Sequence, residues 1–254
     1  MIDPPSRNGQ PNEIRLVHSS DLHVDDDPHA PDYNGDGTTG LRLVLQAATA
    51  LRADLVLLAG DTFDNNRQSA AILDRVTSLL DAAGRPVLIL PGNHDPLTPD
   101  SVYRRSDIPA LPHVHVLGVT HEHSMEFVDH ALEIWGHAHR DYDTMAPLRE
   151  PRARNSKWQI VMAHGHYEPD GVARLHPSWL FSDAEIEATA ADYIALGHWN
   201  RAVKVGSGSV PAYYSGSPDL ARTVNLIRLT ASGEVLVTRE KLANGEQCEA
   251  ARAD

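Results

Sequence analysis

Val87-Leu88-Ile89-Leu90-Pro91-Gly92-Asn93-His94-Asp95 is the stretch that decides the fold. Its four consecutive apolar residues show no alternation. That marks a strand covered on both faces, as in sheets with helices packed on either side. Pro91 and Gly92 then turn the chain. An amide, an imidazole and a carboxylate follow without a spacer. Three polar groups at a strand's carboxyl end cost folding energy unless they bind something.

The same arrangement occurs twice upstream. Residues 14–18 form a short apolar strand that runs into Ser19-Ser20-Asp21-Leu22-His23. Asp21 and His23 are two apart, so in extended backbone they point the same way. That spacing suits two ligands on one ion, or a polar loop after a strand. Residues 54–59 are again continuously apolar and end in Gly60-Asp61-Thr62-Phe63-Asp64. Residues 41–52 have helical periodicity. Residues 66–83 have it too, with Ile72, Leu73, Val76, Leu79 and Leu80 on one face and Gly84 as a stop. The order is β-α-β-α-β, and right-handed crossovers place the three strands parallel in one sheet. Ligands of open α/β sheets bind at the carboxyl edge. Asp21, His23, Asp61, Asn93 and His94 all fall there.

Downstream, residues 113–117 and 132–135 read as strands, with His113 and His115 as ordinary strand positions. Residues 141–150 read as a short helix interrupted by Pro147, and 149–157 as a basic loop. Residues 159–163 are an apolar strand ending in His164-Gly165-His166. A helix over 184–190 with Ser182 as its cap precedes a strand at 193–196, which ends in Gly197-His198-Trp199-Asn200. Residues 212–214 lead to Ser215-Gly216-Ser217-Pro218, and a hairpin of 223–229 with 235–241 closes the pattern. The expected division is a disordered leader over 1–12, one domain over 13–242 and a polar tail over 243–254. Residues 24–40 are an acidic loop. Its Asp32-to-Gly37 stretch matches the opening of a calcium loop, but the twelfth position is Leu43 rather than Glu. A solvated loop at the mouth of a site is the expectation.

With 254 residues, 41 % hydrophobic and 22 % charged, the composition is that of a soluble globular protein. No apolar run approaches the ~20 residues that span a bilayer, and the leader lacks a signal-peptide core. A cytoplasmic protein is expected. Cys248 is the single cysteine, which excludes a disulfide within the chain and a cysteine zinc site. The net charge of −13 argues against a general electrostatic grip on nucleic acid. The 15 histidines, several beside Asp, Asn or Gly, point to metal ligation.

Together the strand ends offer Asp21, His23, Asp61, Asn93, His94, His164, His198 and Asn200. That is too many for one ion and suits two. Oxygen and nitrogen donors without sulfur favour Mn, Fe or Zn over Mg alone. Asp61 is the natural bridging carboxylate. Two ions ~3.5–4 Å apart can hold a bridging hydroxide and clamp the oxygens of an in-line displacement at phosphorus.

The order Asp-x-His, Gly-Asp-x-x-Asp, Gly-Asn-His-Asp, an isolated His, then Gly-His-x-Asn resembles the calcineurin-like metallophosphoesterase superfamily. Three stretches look most like its bacterial SbcD-type DNA repair exonuclease branch: His18-Ser19-Ser20-Asp21-Leu22-His23, Gly60-Asp61-Thr62-Phe63-Asp64, and Tyr214-Ser215-Gly216-Ser217-Pro218. The resemblance implies a four-layer αββα sandwich of two mixed sheets. It implies two divalent transition ions, manganese foremost, with iron or zinc as options. Asp21, His23, Asp61 and Asn200 would surround one ion, and Asp61, Asn93, His164 and His198 the other. His94 would contact the phosphate and protonate the leaving oxygen, with Asp95 orienting its ring. Asp64 would support the ligands.

The chain departs from the pattern at two places. Asn200 stands where the family usually has His, and an amide oxygen is a weaker ligand. Gly136-His137-Ala138-His139 matches the terminal motif better but precedes His164, so order sets it aside. SbcD-like enzymes carry a capping domain that helps hold DNA and joins an ATPase partner. This sequence closes at the core hairpin, so an ATPase partner and processive DNA degradation are not expected. The leading expectation is a phosphodiesterase of nuclease type, with nucleic acid one candidate substrate. The alternative is a phosphoesterase acting on a nucleotide, cyclic nucleotide or phosphomonoester. A non-catalytic scaffold on this fold is the third option, opposed by the intact His94.

Overall fold

The computed structural model describes residues 13–26, 37–171 and 179–242. The expected leader, most of the acidic loop with its calcium-like stretch, and the tail with Cys248 lie outside the described residues. The predicted β-α-β-α-β start is present. Strands β1 (Glu13–Ser19), β2 (Leu55–Ala59), β3 (Val87–Leu90) and β4 (Val114–Val116) run parallel in that spatial order. Helices α1 (Thr39–Ala50) and α2 (Ala70–Ala82) make the first two crossovers. Ser69 caps α2 by accepting from the Ile72 amide at 3.3 Å. A single turn, α3 (Val102–Arg105), follows β3.

The chain then builds a second sheet. Its strands are β5 (Ser124–Phe127), β6 (Leu132–Gly136), β7 (Trp158–His164), β10 (Tyr193–Gly197), β11 (Val203–Val205) and β12 (Ala212–Tyr214), in the order β11-β12-β10-β7-β6-β5. A short parallel pair, β8 (His166–Tyr167) and β9 (Leu180–Phe181), and helix α4 (Asp183–Ala188) lie between β7 and β10. The turn α5 (Pro218–Ala221) returns the chain to the first sheet. There β13 (Thr223–Thr230) pairs antiparallel with β1, and β14 (Val235–Lys241) closes the edge. Both sheets are therefore mixed.

Period-two alternation explains the layering. On β7, Trp158, Ile160 and Met162 face the core shared with the first sheet, while Val161 and Ala163 face Ile186 of α4. On β10, Tyr193 and Ala195 face the first core, and Ile194 and Leu196 the second. With α1 and α2 covering the outer face of the first sheet, the result is the αββα sandwich. A buried polar contact lies between the sheets. His18 Nδ1 sits 2.9 Å from the Tyr193 hydroxyl, which also accepts from Asn225 Nδ2 at 3.3 Å. Burial pushes His18 down to about 3, so its ring is neutral.

Residues 141–150 form turns rather than the predicted helix. Pro147 removes an amide donor and clashes with the preceding turn, and it is buried beside Leu148 instead of breaking an exposed helix. Strands β5, β8, β9 and β11 have four residues or fewer and carry too little periodicity to be read. Among the described residues no helix is long and apolar enough to cross a membrane.

Candidate metal centre

The carboxyl ends of strands from both sheets meet at one edge. Gly60 has φ +92°, and a Cβ there would overlap the His164 ring. A Cβ on Gly197 would overlap the Ala59 carbonyl. Only glycine lets the two sheets approach this closely. Asp21, His23 and Asp61 lie in the left-handed region at φ 55°, 45° and 51°, and His198 at φ 105°. Such backbone strain in non-glycine residues gathers at functional sites.

Four donors converge here. His164 Nε2 lies 3.0 Å from Asp61 Oδ2 and 3.0 Å from Asn93 Oδ1, and His198 Nδ1 lies 3.1 Å from Asn93 Oδ1. An ion with bonds of about 2.1 Å holds neighbouring octahedral donors about 3.0 Å apart. The residues present thus fit a divalent transition ion. His164 Nδ1 is occupied by the Ala59 carbonyl at 2.9 Å, which fixes Nε2 toward the cluster. A second group, His23, Asp61 and His94, brings donor atoms within 4.8 Å of one another, as do Asp61, His164 and His198. Asp61 belongs to both groups.

Asp21 is buried beside them. Its two oxygens each lie 3.0 Å from the His198 amide, and Ser20 Oγ donates to it at 2.5 Å. Ser20 in turn meets Ser215 Oγ at 2.9 Å, which ties together two of the stretches singled out in the sequence. Burial raises the Asp21 carboxyl, and the nearby Asp61 charge adds to this. For Asp61, burial works the same way, but the His164 charge overrides it and holds the group well below the usual carboxylate range. His164 is opposed by burial yet raised to about 9, because Asp61 faces it. His198 is lowered to about 3 by burial and by His164. Without an ion, a protonated His164 neutralises Asp61, while His198 remains an open donor.

His94 is placed differently from the other candidates. Its Nδ1 lies 2.8 Å from the Asp64 carbonyl, and its side chain is 42 % exposed. Its amide donates to Asp61 Oδ1 at 2.9 Å. The expectation that Asp95 orients this ring is not met. Asp95 is fully buried and faces away, accepting from the Gly92 amide at 2.7 Å, the Phe63 amide at 3.1 Å and the Tyr103 hydroxyl at 2.7 Å. It holds the turn that carries His94, and the Asp64 carbonyl sets the ring. The Asp64 carboxylate approaches His23 Nδ1 at 3.3 Å.

Asn200 makes none of the 3.0–3.1 Å contacts that link Asp61, Asn93, His164 and His198. Trp199 is stacked on Tyr214 with ring centroids 4.5 Å apart, and its indole donates to His166 Nδ1 at 2.9 Å. The Asn200 carbonyl accepts from the Ser217 amide at 3.2 Å. Asn200 is exposed and lines a hollow with Arg201 and Arg239. Asn200→Ala is expected to leave the number of bound ions unchanged by elemental analysis. Loss of one ion in that variant would place Asn200 in the shell after all.

His139 lies near the site without joining either group. Its Nε2 is 2.9 Å from the His164 carbonyl, and its ring packs edge-on against His164 and Trp179. Burial and the His164 charge lower it to about 4. It props the strand end that carries His164. His137 points elsewhere, toward the Arg149 carbonyl at 2.9 Å.

Beside His94 and Asn93 opens a groove of about 820 Å³. Asp25, Asp26 and Asp64 line it with Arg67, and Tyr142 and Trp179 form an aromatic wall. Trp179 is fixed by its indole donating to the Asp143 carbonyl at 3.0 Å and by edge contact with His198. Nothing in the spacing of Tyr142 or Trp179 signalled this role, because both stand on irregular segments.

Comparison with known proteins gives the chain relatives and a family. An uncharacterized metallophosphoesterase of Bacillus subtilis, YhaO, is 25 % identical over 220 residues, covering 81 % of this chain and 53 % of its own length. The SbcD component of the Escherichia coli K12 nuclease SbcCD is 23 % identical over 246 residues, covering 81 % of this chain and 60 % of its own. The chain thus spans between half and two thirds of these relatives. Among solved structures, the protein TT1561 of Thermus thermophilus matches with a TM-score of 0.60 at 13 % identity, over 91 % of this chain and 99 % of that one. A Staphylococcus aureus protein provisionally named a 5'-nucleotidase matches at 0.64 and 14 % identity, over 91 % of this chain and 55 % of that one. These two likenesses show the fold. The family model described as calcineurin-like phosphoesterase matches residues 14–201, most of the chain. The chain belongs to the calcineurin-like phosphoesterase family.

Proposed function

We propose that this protein is a metal-dependent phosphodiesterase of nuclease type that works with two divalent transition ions, manganese foremost. One observation carries the reading: Asp61, Asn93, His164 and His198 converge at donor spacings of 3.0–3.1 Å, and Asp61 is shared with a second group. Asp61, Asn93, His164 and His198 would hold one ion; Asp21, His23 and Asp61 would hold the other. Bound there, the ions supply an activated water and positive charge at the phosphoryl oxygens.

The chain's own residues do the rest. With Nδ1 donating to the Asp64 carbonyl, His94 keeps Nε2 for the ester; in its doubly protonated form it passes the Nε2 proton to the leaving oxygen and is left as the neutral ring with its proton on Nδ1. Asp95 and Tyr103 fix the turn that places it. The groove beside His94 receives the organic part of the ester. Its acidic lining favours a second reading, in which the substrate is a small phosphate ester rather than a strand.

The test is hydrolysis of bis(p-nitrophenyl) phosphate with and without Mn²⁺, combined with elemental analysis. Turnover that depends on Mn²⁺, with bound ions, is expected. A protein that binds no ion and leaves the diester intact would overturn the reading.

A further inference from the structure

Past the carboxyl end of β10 lies a second hollow, of about 400 Å³. Asn200, Arg201, Thr223 and Arg239 line it, with Leu220 and Ala221 of α5. The chain carries 35 acidic residues against 22 basic ones, so an arginine without an acidic neighbour needs a reason. Among the described residues neither Arg201 nor Arg239 has a carboxylate partner within ion-pair distance. Arg201 is also held in place. Its guanidinium sits over the Trp199 ring at 4.7 Å, and Trp199 stacks on Tyr214. Weakly hydrated and planar, an arginine fixed in this way suits a phosphate group.

The hollow adjoins the candidate centre. Residues 198–201 join His198 to Arg201, which is at most about 10 Å of chain. Six backbone bonds separate neighbouring phosphates of a single strand, so the phosphate next to the reacting one, or the one after it, would reach the hollow. The groove beside His94 is lined by three aspartates and one arginine, and it repels a continued backbone.

We infer that the Arg201–Arg239 hollow binds a second phosphodiester of the same substrate. A single strand would then leave the centre on the Asn200 side and not through the groove. This deepens the reading above and rests on it, since it names the strand as substrate class and gives it a direction.

The test uses the full chain and a fluorescently labelled single-stranded hexanucleotide. Anisotropy titration in EDTA reads binding without hydrolysis. Arg201→Gln with Arg239→Gln is expected to weaken hexanucleotide binding at least tenfold. The double substitution should also flatten the slope of log Kd against log salt by about 0.7, the value for one phosphate of a single strand. Arg239→Lys should retain most of the binding, and Arg104→Gln, on α3, should match the wild type. With Mn²⁺, the KM for the hexanucleotide should rise at least tenfold relative to that for bis(p-nitrophenyl) phosphate in the same double variant. ATP serves as the second arm: its binding should be insensitive to the double substitution. If hexanucleotide affinity and salt slope stay at wild-type values, or if only ATP binding falls, the inference is overturned. If no ester is hydrolysed by the wild type, the phosphodiesterase reading fails while the EDTA titration still decides the hollow.

Discussion

His94→Ala is expected to keep its ions and lose turnover by about 10²–10⁴-fold, the range for removing a general acid. The argument is geometric. The ring is anchored by Nδ1 on the Asp64 carbonyl at 2.8 Å and stands at the groove, half in solvent. The convergent donors Asp61, Asn93, His164 and His198 do not need it. The His94 amide, which caps Asp61 at 2.9 Å, survives the substitution. Elemental analysis and steady-state rates on one sample check the result. An ester with a good leaving group should lose less than one with a poor leaving group, because only the latter needs the proton. Loss of an ion together with the rate would make His94 a ligand.

Asp61→Ala should remove metal-induced stabilisation altogether. An ion at 100 times its Kd stabilises a folded protein by about 2.7 kcal/mol. At about 2–4 °C per kcal/mol for a chain of this size, Mn²⁺ should raise the wild-type midpoint by roughly 5–10 °C. Because Asp61 belongs to both donor groups, the variant should show a shift below about 1 °C. A full shift in the variant would mean that the ions sit elsewhere. The metal-free wild type has its own pH signature. His164 is raised to about 9 by Asp61, so their pairing stabilises fully below about 6.5, the ordinary His value, and is lost as pH rises through about 9. An ion bound to His164 must displace that proton. Metal uptake near neutrality should therefore release protons and strengthen with pH.

The parallel half of the first sheet was plain in the sequence. β2 and β3 are unbroken apolar runs with Gly or Pro turns after them, β1 is a short strand that runs into a Ser-Ser-Asp stretch, and polar residues from all three ends meet at one edge. The ends of β7 and β10 could be read for the same reason. Asn200 could not, because its position depends on Trp199, whose anchors Tyr214 and His166 lie 15 and 33 residues away in sequence. Asp95 was misjudged for a similar reason. Adjacency to His94 suggested contact, yet its partners Phe63 and Tyr103 arrive from other elements. His139 repeats a ligand motif but belongs to neither donor group among the described residues, and its Nε2 meets the His164 carbonyl. Local spacing tells which residues reach the edge. It does not tell which atoms remain free once the neighbouring chain has bonded to them.

The donors come from two sheets: Asp61 and Asn93 follow β2 and β3, while His164 and His198 end β7 and follow β10. An ion held by all four would be a rivet through the sandwich, and its bond lengths would tolerate little sliding of one sheet against the other. The inter-sheet layer would thereby become part of the coordination chemistry. Repacking around His18, Tyr193 and Asn225, none of which donates to the cluster, would be felt as a change in metal affinity before it was felt as a loss of fold.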